Sequence, residues 1–470
     1  MLRARRGDIS AVLGLAATLV VLAIMMQNLS YEVWAGILVV PVLAAPSLLL
    51  LRVLTRRAHR HLFIIFVAGL AAKFVASILR FYVFASLYSG DGDAGLYYDT
   101  GLALAARVRN GTSSISTVLP WETGLEFMYR IAGLVLTVVG PTKIGTFFVF
   151  AMLGFWGTVL IVLAGCRAVP GINQRRYATF CMLAPSLLFW PASIGKEATV
   201  LLGIGLFAYG ASRLLAWDRR LLGILQIGIG GFIIASVRAH LAALFVFGLV
   251  VALLQVAFVP TATTITRKRT SFAVLAVCAS ALLVVVAFAA VRRLGVDNPN
   301  TGFFEDVSAA LDKASVVSDS GGTSFTPVDT DNPLMWPYAI VRTLFRPLPI
   351  DLDGPKTLLP MLETTLLAGL IVASASRLRR IGSMLRRSPY LTFAFVTTAL
   401  FGLAFSAISN LGALIRQRSL VWGFLLLLVC LPAASKSDRR GSDWARSDTV
   451  ADPRKRRDQP TEAGAAASRA

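Results

Sequence analysis

Charge is scarce in this chain. Only 15% of its 470 residues are Asp, Glu, Lys or Arg, with 3 histidines and 4 cysteines, while 56% are hydrophobic. That balance excludes disorder over most of the length, because disordered chains are too polar to bury a core. Cys166, Cys181, Cys278 and Cys430 lie in or beside apolar runs without CxxC spacing. A disulfide scaffold and a thiolate metal site are thereby excluded. The sequence also lacks a Walker A loop, a GxGxxG after a strand, HExxH and GxSxG, so nucleotide-driven transport by this chain alone has no motif behind it. The charge that is present is lopsided: 46 Lys+Arg against 25 Asp+Glu, a formal +21. In a soluble protein such an excess suggests nucleic acid. In a chain with mean hydropathy +0.70 it suggests membrane topology instead, and no nucleic-acid partner is expected.

A bilayer crossing needs about 20 mostly apolar residues. Runs of this kind cover Ala11–Met26, Val33–Leu54, Leu62–Leu87, Ile144–Gly165, Tyr177–Trp190 and Ala198–Trp217. Six more cover Leu221–Ser236, Leu241–Val259, Phe272–Val291, Thr357–Ala375, Leu391–Ile408 and Leu420–Pro432. The expectation is an all-α polytopic bundle of about 12 spans, occupying about half the chain. The first run follows Arg3, Arg5 and Arg6 but leads into Gln27–Ser30 rather than a small-x-small cleavage site, which reads as a retained anchor.

Basic clusters at Arg3–Arg6, Arg52–Arg60, Arg167–Arg176, Arg213–Arg220, Arg267–Arg269 and Arg377–Arg387 set the orientation. They alternate with sparsely charged connections only if Leu125–Gly140 does not cross, so that segment reads as an interfacial or re-entrant helix on the outer side. Residues 1–434 then form the transmembrane domain, with both termini cytoplasmic, in the cell (plasma) membrane. Two long outer loops cover about 88–143 and 292–356, and loops of this length usually carry function or are disordered. Residues 435–470 read as a disordered basic tail. Its Arg454–Arg457 run either attracts anionic headgroups or simply reinforces topology.

The chemistry-bearing residues fall in the outer segments. Tyr88 to Asp99 reads YSGDGDAGLYYD, placing Asp91 and Asp93 two residues apart between glycines, with Tyr97 in support. Such a pair suits a general base or a divalent cation, because neighbouring carboxylates raise one another's pKa. The alternative is a turn and a helix cap. In PSLLFWPASIGKEA, from Pro185 to Ala198, Lys196 and Glu197 open a span near membrane depth, where an ion pair, a bound anion or snorkelling to water would be needed. Arg238 and His240 fill a short turn between spans. Arg suits bidentate phosphate contact and His a proton carrier.

Arg342 and Arg346 share one face if their segment is helical, to grip a pyrophosphate or to rest in headgroups. Arg416 and Arg418 follow Asn410 on the side where basic residues are disfavoured. The spans themselves hold few ionisable groups. Lys73 and Arg80 are the exceptions, and Glu363 lies near a span's outer end. A carrier coupled to protons or ions would show carboxylates near the midplane. Carboxylates and several cations at one membrane face instead fit a reaction on a lipid-linked phosphate.

The acidic GDGD…YY loop after an early span, and the PS…FW…GKE stretch that follows, resemble the GT-C superfamily of membrane glycosyltransferases and the Wzy- and EpsG-type polysaccharide polymerases. The resemblance covers about residues 60–260, with echoes in Arg342–Pro349 and Asn410–Arg418. It implies a polyprenyl-phosphate-linked sugar donor used on the extracytoplasmic face, a glycan or lipid acceptor, surrounding membrane lipids, and a role in cell-envelope glycan assembly. Carried over, the base falls on Asp91 or Asp93. The Wzy-type comparison implicates Arg238, Arg416 or Arg418 in holding a lipid pyrophosphate. Lys196, Arg342 and Arg346 would add phosphate contacts, with Glu197 and His240 supporting. A polymerase of lipid-linked repeat units and a flippase of lipid-linked glycans stand as alternatives. The large C-terminal soluble domain of many GT-C enzymes has no counterpart here.

Overall fold

The computed structural model describes residues 20, 23–56, 59–87, 90, 92–120, 122–258, 266–293, 328, 332–351, 355–408 and 410–432. Among them the secondary structure is helical. The first helices are α1 (Tyr31–Thr55), α2 (Phe63–Leu87), α3 (Asp93–Arg109), α4 (Leu125–Val139) and α5 (Lys143–Ala168). They are followed by α6 (Gln174–Leu183), α7 (Pro185–Phe189), α8 (Lys196–Leu215), α9 (Arg220–Val237), α10 (Ala239–Phe258) and α11 (Thr266–Arg293). After these come α12 (Trp336–Phe345), α13 (Pro355–Ala373), α14 (Pro389–Ala404), α15 (Leu411–Arg418) and α16 (Trp422–Val429). Helix is the form expected in lipid, where each backbone N–H and C=O must be satisfied within its own segment.

Seven helices, α1, α2, α5, α8, α9, α10 and α11, are long and apolar enough to cross a membrane. The bent pair α15–α16, 65° apart, makes an eighth span if it is counted as one. The sequence suggested about twelve spans, counted as apolar runs of about 20 residues. The Tyr177–Trp190 run is broken: α6 stops at Leu183, Pro185 opens α7, and a 3₁₀ turn at Trp190–Ala192 follows. The Thr357–Ala375 and Leu391–Ile408 runs fold as the shorter apolar helices α13 and α14, and Leu420–Pro432 contributes the eight residues of α16. Most of the Ala11–Met26 run, and residues 435–470, lie outside the described residues. The Leu125–Gly140 segment forms the 15-residue α4, too short to span.

α5 and α8 form the centre, with 78% and 72% of their most apolar stretches buried, whereas α1 and α11 are peripheral at 11% each. Glycines set the close approach, as small residues do in membrane bundles. A Cβ on Gly157 would lie 2.3 Å from the Leu201 carbonyl, and one on Gly205 would lie 2.4 Å from that of Gly157. On the other side of α8, a Cβ on Gly230 of α9 would lie 2.5 Å from the Gly203 carbonyl. α8 therefore runs parallel to α5, since Gly157 meets Leu201 and Gly205 while Arg167, further along α5, pairs with Asp218 just past the end of α8. At 1.5 Å per residue this register sets Lys196 about 10 Å along α5 from its start, below the helix ends.

The broken α6–α7 segment makes that inset start possible, and α2 holds it. Lys73 Nζ donates to the carbonyls of Leu187 (2.8 Å) and Leu188 (3.1 Å), and Ser77 Oγ to that of Ala192 (3.0 Å). The Arg80 guanidinium lies 5.0 Å from the Phe189 ring centre and 5.1 Å from that of Trp190. The ionisable groups within the third predicted span are thus spent on a turn.

The two ends of the bundle differ in charge. Arg167–Asp218 pairing, Asn173 N–H to Cys430 O (3.2 Å), Ser388 Oγ to Ala168 O (3.3 Å) and Arg377 Nη1 to Val429 O (3.3 Å) gather one set of helix ends. That set carries Arg175, Arg176, Arg219, Arg220, Arg386 and Arg387. Asp93, Lys196, Glu197, Arg238 and Arg416 collect at the opposite set.

Candidate functional site

The site begins with two glycine-enabled turns. Gly90 and Gly92 have φ of 78° and 103°, a region that side chains rarely adopt. The loop folds back so tightly that a Cβ on Gly95 would lie 2.5 Å from the Gly90 carbonyl. This places Asp93 in the first turn of α3, with its carboxylate 3.5 Å from Arg416 Nη1. Asp91, the other candidate base, lies outside the described residues.

Arg416 comes from α15, whose start is capped by the Asn410 side chain accepting from the Ala413 N–H (2.9 Å). Its Nε lies 3.2 Å from Glu197 Oε1. The same carboxylate oxygen accepts from Arg238 Nη2 at 2.9 Å. Arg238 Nη1 donates in turn to the Gln417 side chain. Arg238 occupies the turn between α9 and α10, where its backbone N–H closes on Ile234 O (2.7 Å). Glu197 and Arg238 are buried, Arg416 is about one third exposed and Asp93 about half. The result is one chain of contacts, Asp93–Arg416–Glu197–Arg238–Gln417, running from the exposed rim into the interior.

Lys196 stands beside this chain, in the field of Arg238, Asp93, Glu197 and Arg416. Among the described residues three cations, Lys196, Arg238 and Arg416, thus gather around two carboxylates, Asp93 and Glu197, and Asp91 beside Asp93 lies outside that count. Tyr97 is one turn beyond Asp93 on α3 and fully buried, with no hydrogen-bond partner for its hydroxyl among the described residues. Burial, then the carboxylates of Asp93 and Glu197, push its phenol well above the ordinary value. It is held neutral as a hydrogen-bond donor.

Of the remaining candidates, Arg346, Arg418 and His240 have other partners, and His240 also lies in the field of Arg238. α12 ends at Phe345, and Arg346 is extended (φ −85°, ψ 144°), so Arg342 and Arg346 do not share a helical face as the spacing suggested. Arg346 pairs with Asp351 at 2.8 Å. Arg418 is fully buried and donates from Nη1 to the carbonyls of Leu344 (3.2 Å) and Arg346. Two residues along a helix is a rotation of about 200°, so Arg418 points away from the side Arg416 presents. His240 rests against Phe405, with ring centres 5.8 Å apart.

Two residues outside the candidate set matter. Gln417 takes up half of the Arg238 fork, and Ser186 donates through both N–H and Oγ to Glu363. Nothing in the residue pattern distinguishes Gln417 from its other polar neighbours. Among the described residues no group of three or more His, Cys, Asp and Glu side chains comes together, and of the Asp91–Asp93 pair suggested for a divalent cation only Asp93 is described. No protein-family model, curated protein or solved structure matches the chain.

Proposed function

We propose that this protein is an integral-membrane glycosyltransferase that uses a polyprenyl-phosphate-linked sugar at the bundle end holding Asp93, Glu197, Arg238 and Arg416. On this reading that end faces outward, the basic end and both termini face the cytoplasm, and the product enters cell-envelope glycan. The observation behind it is the contact chain from Asp93 through Arg416 to Glu197 and Arg238, which joins an exposed carboxylate to two arginines, with Lys196 beside them. A base and a set of phosphate ligands are what transfer from a lipid phosphate needs.

Asp93, or Asp91 beside it, would take the proton of the acceptor hydroxyl as that oxygen bonds to the sugar's anomeric carbon. The bond from that carbon to the phosphate oxygen breaks, and polyprenyl phosphate leaves. Arg416 and Lys196 would hold the leaving phosphate. Arg238 is committed to Glu197 and Gln417, which suits fixing Arg416 rather than gripping substrate. Tyr97 offers a neutral donor beside the carboxylate.

Membranes containing the chain, supplied with a radiolabelled polyprenyl-phosphate sugar, test this. Asp93→Asn and Asp91→Asn are each assayed alongside insertion into the membrane. Loss of transfer in at least one, with normal insertion, is expected. Full activity in both removes the base assignment. The clustered cations also fit a polymerase of lipid-linked repeat units, for which Arg416→Ala would be more damaging than either Asp change. A flippase path is less well served, because Lys73, the buried cation of α2, is occupied by backbone carbonyls.

A further inference from the structure

We propose that the cleft between α9 and α11 at the basic end binds the headgroup of an anionic phospholipid. The cleft holds two adjoining cavities of about 390 and 510 Å³ that share Trp217, Arg220 and Leu221. Arg219 lines the larger one, and Thr270 and Ser271 line the other. None of these residues belongs to the Asp93–Arg238 chain, so the inference stands whether or not the transferase reading does.

The turn preceding α9 is built to present cations there. Trp217 and Arg219 both hold left-handed backbone, with φ of 56° and 45°, although neither is glycine. Residues in this region are strained, and such strain clusters at functional positions. Between them, Asp218 is drawn away to Arg167. Among the described residues neither Arg219 nor Arg220 has a carboxylate within 4.0 Å, and no acidic residue lines either cavity. The Trp217 ring lies 5.1 Å from the Arg220 guanidinium and 4.9 Å from the Phe272 ring, tying the turn to α11.

The walls say what kind of anion fits. Leu221 and Ile224 of α9 face Val274 and Leu275 of α11, and Leu221 and Val274 are 77% and 57% exposed. Apolar surface continues along the same helices through Leu225 and Val277, 57% and 69% exposed. A free phosphate would use the two arginines and leave these walls bare. A phospholipid uses both, its phosphate at the guanidinium pair and its acyl chains along α9 and α11. Basic pockets between membrane helices recognise anionic headgroups in this way, and Trp favours that depth.

The full-length protein, purified in detergent, is incubated with dioleoyl phosphatidylglycerol or dioleoyl phosphatidylcholine, and retained lipid is measured by native mass spectrometry. Selective retention of phosphatidylglycerol is expected. At about 1 kcal/mol per cation, Arg219→Ala/Arg220→Ala should weaken it about 30-fold. Arg386→Ala/Arg387→Ala, which removes the same charge from exposed positions at the same end, should leave retention unchanged. Val274→Glu places a carboxylate on an exposed wall and should expel the lipid without altering the turn. Equal retention of phosphatidylcholine, an equal loss in the Arg386/Arg387 variant, or undiminished retention in Val274→Glu would each overturn the proposal. Displacement of the lipid by millimolar inorganic phosphate would overturn it too, by assigning the arginines to a soluble anion.

Discussion

Neutralising Glu197 is the sharpest test of how the site is held. Its Oε1 accepts from Arg238 at 2.9 Å and lies 3.2 Å from Arg416 Nε, so Glu197→Gln keeps the shape and removes the negative charge that bridges these two arginines. The two contacts are not equivalent. Arg416 is about one third exposed, and a pair of that kind contributes about 0–1 kcal/mol. Arg238 is 8% exposed, and breaking a buried pair from one side costs about 3–5 kcal/mol because the remaining charge is left uncompensated. The expected loss in Glu197→Gln is therefore about 3 kcal/mol or more, nearly all of it from Arg238. The double variant Glu197→Gln/Arg238→Gln removes the stranded charge, so its loss should fall short of the sum of the two singles by about 2 kcal/mol. Unfolding of the detergent-solubilised protein by added dodecyl sulfate, followed by tryptophan fluorescence, measures all three. The variant site also has one carboxylate fewer among Lys196, Arg238 and Arg416, so inorganic pyrophosphate should protect Glu197→Gln more than the parent. At ten times its Kd, protection would be about 1.4 kcal/mol. Additivity within about 0.5 kcal/mol, or a single variant as stable as the parent, would refute the buried-pair reasoning.

Other outcomes follow from the same geometry. Gly92→Ala forces a side chain into left-handed backbone at φ 103° and should cost about 1–2 kcal/mol while displacing Asp93; transfer activity equal to the parent would contradict that role. Lys73→Met withdraws the donor that two carbonyls share, at about 1–3 kcal/mol, and should speed amide hydrogen exchange across residues 190–195; unchanged exchange would remove Lys73 as the clamp of that turn. Tyr98 is buried beside Glu32 and Asp99, and burial first, then these carboxylates, raise its pKa to about 12. A phenol bound more tightly to its proton in the folded state contributes stability below its unfolded pKa of about 10, and that contribution is lost as pH rises towards 12. Tyr98→Phe should flatten the decline of stability between about pH 10 and 12, and an unaltered profile would contradict the assignment.

How much of this could be read from the sequence depended on whether a residue's partner was local. Asp93, Glu197, Arg238 and Arg416 stood out because polar groups are few in so apolar a chain, and the structure brings these four together. The Arg342–Arg346 pairing failed for a reason visible in the sequence. Arg346 precedes Pro347, a position biased against helix, so a shared helical face could not extend to it. Arg418 was likewise too near Arg416 along one helix for both to reach a single ligand. The apolar run at 177–190 read as a span because hydropathy counts side chains and ignores what Pro185 and Pro191 do to the backbone. Lys73 is the instructive case. An intramembrane cation is usually referred to a ligand, an ion or a transport path. Its partners here are carbonyls left open where the short α7 ends at Phe189, more than a hundred residues away. In an apolar chain, then, a lone charge in a span has two physical explanations, a ligand or a broken neighbouring helix. A proline-interrupted run elsewhere in the same sequence is the sign that the second must be tested first.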